Sequence, residues 1–203
     1  MQKSYDKLTK YFDVIKDDDE SIIWVGSPEF IPFILKGVPF LMFGILWGTF
    51  DFFFFLNADD KDIALNLFML LHMAPLWLSI GNFARLILVH PNTHYAYTNK
   101  RLLLRSGFWG IDFKSIDFDK ISDIEVNVNP IEAIFSVGSI LTYTGRVNDD
   151  RTSTTDNMIA IKLPYEVFKQ IKKISVDVKT DWNYPNALRP EQNPGYKTNY
   201  TPK

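Results

Sequence analysis

The chain has 203 residues, a formal net charge of −2 and a mean hydropathy of −0.07. It has no cysteine, which excludes disulfides and thiolate metal sites. Its balanced charge lacks the basic excess that nucleic-acid binding needs. The near-zero mean hydropathy averages a very apolar segment with polar flanking segments, so regions with different surroundings are expected.

The first thirty residues are predicted to form a short amphipathic helix and a short strand. Four apolar residues recur at helical spacing: Tyr5, Leu8, Phe12 and Ile15. We expect this stripe to pack against a soluble domain, although a membrane surface would also accept it. The acidic run at 17–20 is interpreted as a solvated linker or helix cap, and residues 21–26 (SIIWVG) as a strand.

Two long apolar runs, residues 37–56 and 63–84, dominate the next part of the chain. About 20 apolar residues in a helix cross a ~30 Å hydrocarbon core, so each run is long enough to span a membrane. Because only six residues join them, the runs predict an antiparallel transmembrane hairpin within residues 31–90. The alternative is a pair of core helices in a soluble protein.

The distribution of charges around the two runs predicts their orientation. The connecting loop, NADDKD, carries three aspartates and one lysine, whereas lysines precede the first run and Arg85, Lys100 and Arg101 follow the second. Because Lys and Arg are enriched on the cytoplasmic side of membranes, both termini are expected to be cytoplasmic.

Asp51 and His72 are candidates for a polar pair inside the predicted hairpin. Each lies toward the same end of its apolar run, and a carboxylate inside a membrane is costly enough to raise a functional question. A bond from Asp51 to His72 or to Asn66 would lock the two helices together. The alternatives are a proton relay in a small transporter subunit, a carboxylate that reaches the outer surface, and contact with a partner helix.

After Pro91 the period of apolar residues changes from helical to alternating, which indicates β-strands with one buried face. The predicted strands are 94–98, 101–105, 111–118, 121–128, 134–143 and 158–163. A polar loop is expected at 145–157, and Pro164 suits the first turn of a helix with its core at 164–174. These elements predict an antiparallel curled sheet, closed by the helix, over residues 91–178. Residues 21–26 are expected to complete the sheet.

The last segment, residues 179–203, is predicted to be an extended or disordered tail. From Asp181 onward it contains four prolines and four asparagines and shows no apolar periodicity.

Several short motifs in this order resemble the bacterial PH-like domain proteins in their membrane-flanked form. Residues 95–102 match the opening pattern Y-x-x-T-x-x-R-L, and Gly107 matches the glycine after the second strand. Residues 135–140 are similar to the F-G-x-G-x-I strand, with Ser136 at the first glycine, and residues 164–167 to the P-x-x-V helix start. The resemblance covers about residues 20 to 178. It implies a PH-like fold of mainly β, or α+β, class beside a membrane α-helical hairpin.

The sequence offers little support for catalysis. Its three histidines lack carboxylate neighbours at a metal-ligand spacing, and neither a phosphate-binding glycine loop nor a nucleophile motif is present. No catalytic residue, metal or cofactor is therefore predicted.

Three basic residues after the second run, Lys100, Arg101 and Arg105, are candidates for contact with lipid head groups. In lipid-binding PH domains, basic residues on the first strands and turns hold phosphoinositides. However, residues 91–178 contain equal numbers of basic and acidic residues, so the predicted domain has no net field toward anionic lipid. Solvated strand positions are the competing interpretation.

The leading hypothesis is a non-enzymatic integral membrane protein of the bacterial inner membrane, multi-pass, with both termini cytoplasmic. Its PH-like domain would bind a membrane-protein partner or organise copies of itself as a homo-oligomer, without nucleic acid. The second hypothesis is a module that senses anionic lipid through the three basic residues. The third is a small transporter subunit built around Asp51.

Overall fold

The computed structural model describes residues 2–57, 62–147, 153–185 and 188. The chain forms two compact units, one made of residues 30–91 and the other of the segments before and after it. The first strand therefore precedes the helical unit, and the remaining strands follow it. The helical unit is an insertion between two strands of a sheet.

The first sheet contains four antiparallel strands in the order β1-β2-β3-β4. They are β1 (Ile22–Gly26), β2 (His94–Thr98), β3 (Arg101–Ser106) and β4 (Asp112–Asp117). Gly26 pairs with Tyr95, so β1 ends where β2 begins. We call this end of the sheet, from which the chain leaves to the helical unit and returns, the insertion end. The strand predicted at 21–26 does complete the sheet.

All five residues of β2 are buried, because both faces of the sheet are covered there. On one face Tyr95 and Tyr97 enter the main core. On the other face Ala96 and Leu103 pack against Phe12, beyond α1 (Gln2–Thr9). The N-terminal segment thus packs on the sheet, as its apolar stripe predicts.

The second sheet contains three antiparallel strands in the order β5-β6-β7. They are β5 (Asp123–Asn127), β6 (Val137–Val147) and β7 (Ser153–Lys162). The strand predicted to start at 134 begins later because residues 130–134 form a short helix, α6 (Pro130–Ile134), with a capping box between Asn129 and Glu132. The loop predicted at 145–157 is shorter, because β6 and β7 extend into it without apolar alternation.

The closing helix is α7 (Pro164–Asn183), whose Val167 and Ile171 lie in the main core. The predicted antiparallel sheet and closing helix are therefore confirmed. The helix continues nine residues beyond the predicted core at 164–174, into the first part of the predicted tail. Val178 is the last apolar residue that packs against this core, and the buried positions of the later turns, Ser175, Asp177 and Asp181, are polar, so the apolar period stops before the helix does. Most of the remaining tail lies outside the described residues.

The helical unit contains four helices: α2 (Phe30–Leu35), α3 (Val38–Leu56), α4 (Ile63–His72) and α5 (Ala74–Val89). Among the described residues α3 alone is a single helix long and apolar enough to cross a membrane. The second apolar run is bent by 43° between α4 and α5, so the expectation of one uninterrupted helix there is wrong. Pro75 explains the break, because proline cannot donate the helical hydrogen bond and clashes with the preceding turn.

Helices α3 and α5 run antiparallel with their backbones close together. A Cβ atom at Gly44 would lie 1.9 Å from Ser79 Oγ, and one at Gly48 would lie 2.6 Å from Leu76 Cδ2. Glycines four residues apart on α3 allow this close approach of two apolar helices.

Candidate functional site

The turn between β2 and β3 carries two of the predicted head-group residues, and both have acidic partners from the N-terminal segment. Arg101 Nη2 lies 2.7 Å from Glu20 Oε2 and 3.2 Å from Asp17 Oδ1. Lys100 Nζ lies 2.6 Å from Asp19 Oδ1. The acidic run at 17–20 is therefore an ion-pairing partner of this turn. Its three aspartates are exposed, as expected of a solvated segment, whereas Glu20 is buried.

Glu20 is the buried member of this cluster, with 3% of its surface exposed. Thr98 Oγ1 donates a hydrogen bond to it at 2.6 Å, and the backbone N–H of Asp17 donates another at 3.1 Å. Burial pushes the pKa of Glu20 upward, but these hydrogen bonds and those from Arg101 outweigh it and hold the pKa below its usual value. In turn, the hydrogen bond to Glu20 raises the pKa of Arg101 despite desolvation.

The β2–β3 turn lies at the far end of β2 from the insertion end. Lys100 and Arg101 lie at the end of β2 opposite His94, and His94 marks the insertion end. A five-residue strand at ~3.3 Å per residue separates the two ends by about 16 Å. β2 therefore separates Lys100 and Arg101 from the insertion end.

Arg105 lies at the insertion end but is buried, with 6% of its surface exposed. It donates a hydrogen bond to the backbone carbonyl of Asn92 at 3.1 Å, and its guanidinium lies 4.4 Å from the centroid of the Tyr11 ring. Tyr11 also stacks on His94 at 4.8 Å. Arg105 thus ties β3 to the N-terminal segment and to the residues that precede β2.

The structure brings Asp51 and His72 together inside the helical unit. His72 Nδ1 lies 3.0 Å from both carboxylate oxygens of Asp51, which is 2% exposed. Trp47 donates its indole N–H to the backbone carbonyl of His72 at 3.0 Å, and the rings of Trp47 and Phe68 flank the imidazole at 5.3 Å. Of the two predicted partners, the carboxylate of Asp51 contacts His72, which lies at the end of α4 where the second run bends.

A groove of about 650 Å³ lies between β1 and the first turns of α7 in the sheet-bearing unit. Trp24 and Tyr97 form one wall and stack with ring centroids 5.7 Å apart. Val167 contributes apolar surface, and an ion pair of 2.9 Å between Lys162 and Glu29 lies on the rim. Sequence patterns do not predict this aromatic wall, because Trp24 and Tyr97 are brought together only by the pairing of β1 with β2.

No group of three or more metal-ligating side chains occurs among the residues that the structure describes. The buried phenol of Tyr95 accepts a hydrogen bond from the backbone N–H of Ile159 at 3.1 Å, and burial raises its pKa to about 12. Tyr95 therefore holds the two sheets together as a neutral group.

Comparison with known proteins places this fold in a family. A sequence profile described as the bacterial PH domain matches residues 30–175, which include the helical unit and the strands from β2 onward. Among solved structures, the chain is similar to a DUF1696 family protein with a pleckstrin-homology domain from Shewanella loihica PV-4, at 12% identity and a TM-score of 0.40. That match covers 84% of this chain and 96% of the other. No curated protein matches the chain. Because the profile spans well over half of the sequence, this protein belongs to the bacterial PH domain family.

Proposed function

We propose that this protein is a non-enzymatic membrane protein whose helical unit anchors a cytoplasmic PH domain, and that this domain binds a segment of a protein partner. The observation that carries the choice of a protein over lipid is the ion-pair cluster at the β2–β3 turn. Lys100 and Arg101 are already bound by Asp19 and Glu20, so an anionic head group would have to displace a carboxylate from each.

Membrane anchoring is supported by the surface of α3. Leu46 and Phe50 are each 69% exposed and Phe53 is 59% exposed, so the helix presents large apolar side chains outward. A soluble monomer rarely exposes an apolar patch of more than a few hundred Å². Helices α4 and α5 together contain 26 residues. At ~1.5 Å per residue they are long enough to cross the hydrocarbon core of a bilayer despite the bend between them. We therefore propose a two-span hairpin.

The topology can be tested by labelling, because the chain has no cysteine of its own. With both termini cytoplasmic, Asn57→Cys at the end of α3 reacts with an impermeant thiol reagent in intact cells, whereas Val14→Cys reacts only after the cells are opened. Reaction of both in intact cells, or protection of Asn57→Cys alone, contradicts the proposed orientation.

The groove beside β1 is the proposed binding site. β1 is an edge strand of the first sheet, and edge strands can accept an added strand from a partner. The stacked Trp24 and Tyr97 offer a rigid aromatic wall of the kind that dominates protein interfaces. Glu29 on the rim directly precedes α2, so the groove favours a juxtamembrane segment of another membrane protein.

Asp51 and His72 are assigned a structural role in this proposal. A proton relay needs a series of titratable groups, but the other ionisable residues described between 30 and 91 lie toward the ends of the helices: Lys36, Asp62, Arg85 and His90. The carboxylate–imidazole bond instead joins α3 to the end of α4. Asp51 is the buried partner, so loss of His72 would leave its carboxyl group without this contact in an apolar medium, which is costly.

Site-specific photo-crosslinking in the native membrane tests the binding site. A photoreactive residue at Gln170, on the groove, should form a discrete crosslink to another protein or to a second copy of the chain. The same residue at Lys169, its exposed neighbour on α7 outside the groove, is the matched control. Equal crosslinking from both positions, or none from Gln170, would refute the groove as the site.

The lipid alternative is tested on the full chain in nanodiscs of phosphatidylcholine with and without anionic phosphatidylglycerol. Our proposal predicts the same hydrogen exchange in the β2–β3 turn in both lipids. Protection that appears only with anionic lipid, and disappears with added salt as charge screening requires, would favour head-group recognition.

A further inference from the structure

The connection between β3 and β4 presents apolar side chains to solvent. We call residues 107–111 (GFWGI) the aromatic turn. Trp109 is 94% exposed, Ile111 52% and Phe108 39%, and the rings of Phe108 and Trp109 meet edge to face at 5.1 Å. These side chains lie outside both core clusters. Nothing in the fold of the sheet requires large apolar groups at the tip of a hairpin.

The backbone of the aromatic turn is compact. A Cβ atom at Gly107 would lie 1.8 Å from the carbonyl oxygen of Gly110, so the turn closes more tightly than any other residue would allow. The side chain of Asn92 donates a hydrogen bond to the Gly107 carbonyl at 3.2 Å. The glycines and this bond hold the aromatic side chains at the outer tip of the hairpin.

The aromatic turn lies at the insertion end of the first sheet. His94 pairs with Arg105, and Ser106 pairs with Asp112, so the β3–β4 connection is beside the start of β2. Asn92, its hydrogen-bond partner, follows the last residue of α5 by three positions. Three residues of chain span at most about 11 Å. The turn is thus close, along a bonded path, to the point where the chain leaves α5.

We propose that the aromatic turn inserts into the interfacial region of the bilayer that holds the helical unit. This inference rests on the proposed membrane anchor. Its chemistry fits a lipid interface, because Trp and Phe concentrate at the boundary between head groups and acyl chains, and the turn carries no charge. The insertion is apolar, so it needs neither anionic lipid nor Lys100 and Arg101.

Spin labels on single introduced cysteines test the proposal in the full chain reconstituted in phosphatidylcholine vesicles. A label at Trp109→Cys should collide with dissolved oxygen several-fold more often than with an aqueous nickel complex. Val14→Cys is the control, because Val14 is 83% exposed and lies near the end of the sheet opposite the aromatic turn. Its neighbour Ile15 accepts a hydrogen bond from Arg101 at that end. Its label should favour the aqueous nickel complex.

A third label, at Leu46→Cys on α3, separates this proposal from the membrane anchor on which it rests. A nickel-accessible label at Leu46→Cys would overturn the anchor itself. An oxygen-accessible label there, with a nickel-accessible label at Trp109→Cys, would overturn the inserted turn alone. Shielding of the Trp109→Cys label from both reagents would show that protein covers the turn, which also overturns insertion into lipid.

Discussion

Replacement of Arg101 by glutamine should destabilise the PH domain strongly, whereas the same change at the adjacent Lys100 should not. Both residues are cationic and belong to one turn, so they form a matched pair. They differ in their partners, because Arg101 neutralises the buried Glu20 and Lys100 pairs with the half-exposed Asp19. The comparison isolates the effect of burial on an ion pair.

The size of the stability loss follows from the buried Glu20 carboxylate that Arg101→Gln leaves without its cationic partner. Removing one partner of a buried ion pair typically costs about 3–5 kcal/mol, because the other charge stays buried. Hydrogen bonds from Thr98 and the backbone of Asp17 still reach Glu20, so we expect the lower end of that range, about 3 kcal/mol. In a domain of this size the loss lowers the unfolding temperature by roughly 10 °C. Lys100→Gln removes only an exposed pair, so its effect should be within experimental repeatability.

The assay must report on the PH domain within the full chain. Ala96 is fully buried in β2 and the protein has no cysteine, so Ala96→Cys supplies a single thiol that reacts only when the sheet opens. Its reactivity is followed with temperature in detergent, in backgrounds with and without each substitution. Equal unfolding temperatures for Arg101→Gln and Lys100→Gln would refute the buried pair. So would a double variant of Arg101→Gln with Glu20→Gln whose loss equals the sum of the two single losses.

Three further substitutions test the charge, the core and the helix packing. The folded-state pKa of Glu20 lies below its unfolded value of 4.5, so its stabilisation is present above pH 4.5 and is lost as the pH falls through the folded value. The stability difference between the parent and Glu20→Gln should therefore shrink in acid, and a constant difference would contradict the assignment. Ile171→Asp should cost about 4 kcal/mol or more by placing a charge in the core, whereas Val176→Asp on the exposed face of α7 should be mild in the same thermal assay. Gly44→Leu should lower the melting temperature of the helical unit by far-ultraviolet circular dichroism, and Gly81→Leu, where a Cβ meets nothing within 4 Å, should not.

The parts of the fold that the sequence predicts well are those with local patterns. The strands at 94–98 and 101–105 are found within a residue of their predicted ends. The first has tyrosines at alternate positions, the second has three leucines between two arginines, and a short polar turn separates them. The start of α7 at Pro164 is equally well predicted. Its end was not, since the buried residues of its last turns are polar and carry no apolar period.

Long-range pairing explains what sequence patterns could not provide. Ser21 and Asn99 are bonded to each other although 78 residues separate them, and this contact aligns the acidic run with the β2–β3 turn. Read locally, four acidic residues in a row are typical of a solvated segment. Only the pairing of β1 with β2 across the inserted helices shows that Glu20 is buried against Arg101.

The Asp51–His72 contact could be predicted from the sequence, because it depends on the length of the connection and on the positions of the two residues in their apolar runs. The short connection requires antiparallel helices, and the positions of the two polar residues relative to that connection bring them to similar depth. The bend at Met73 could not be predicted in the same way. Pro75 was visible, but a proline in an apolar helix can kink it or be accommodated, and packing decides which.

The aromatic turn and the β2–β3 turn lie at opposite ends of β3. Their separation links the proposed insertion of the aromatic turn to the proposal that Lys100 and Arg101 do not bind lipid. Six residues of strand at ~3.3 Å each place them about 20 Å apart. If Trp109 inserts into the interface and the sheet stands upright on the membrane, Lys100 and Arg101 lie about 20 Å from the lipid surface. That distance exceeds the Debye length of about 8 Å at physiological salt, so their attraction to anionic lipid is largely screened. A sheet that lies flat could present both turns, but Val14→Cys would then lose its preference for the aqueous reagent. The spin-label measurement therefore also decides whether the basic residues can sense lipid at all.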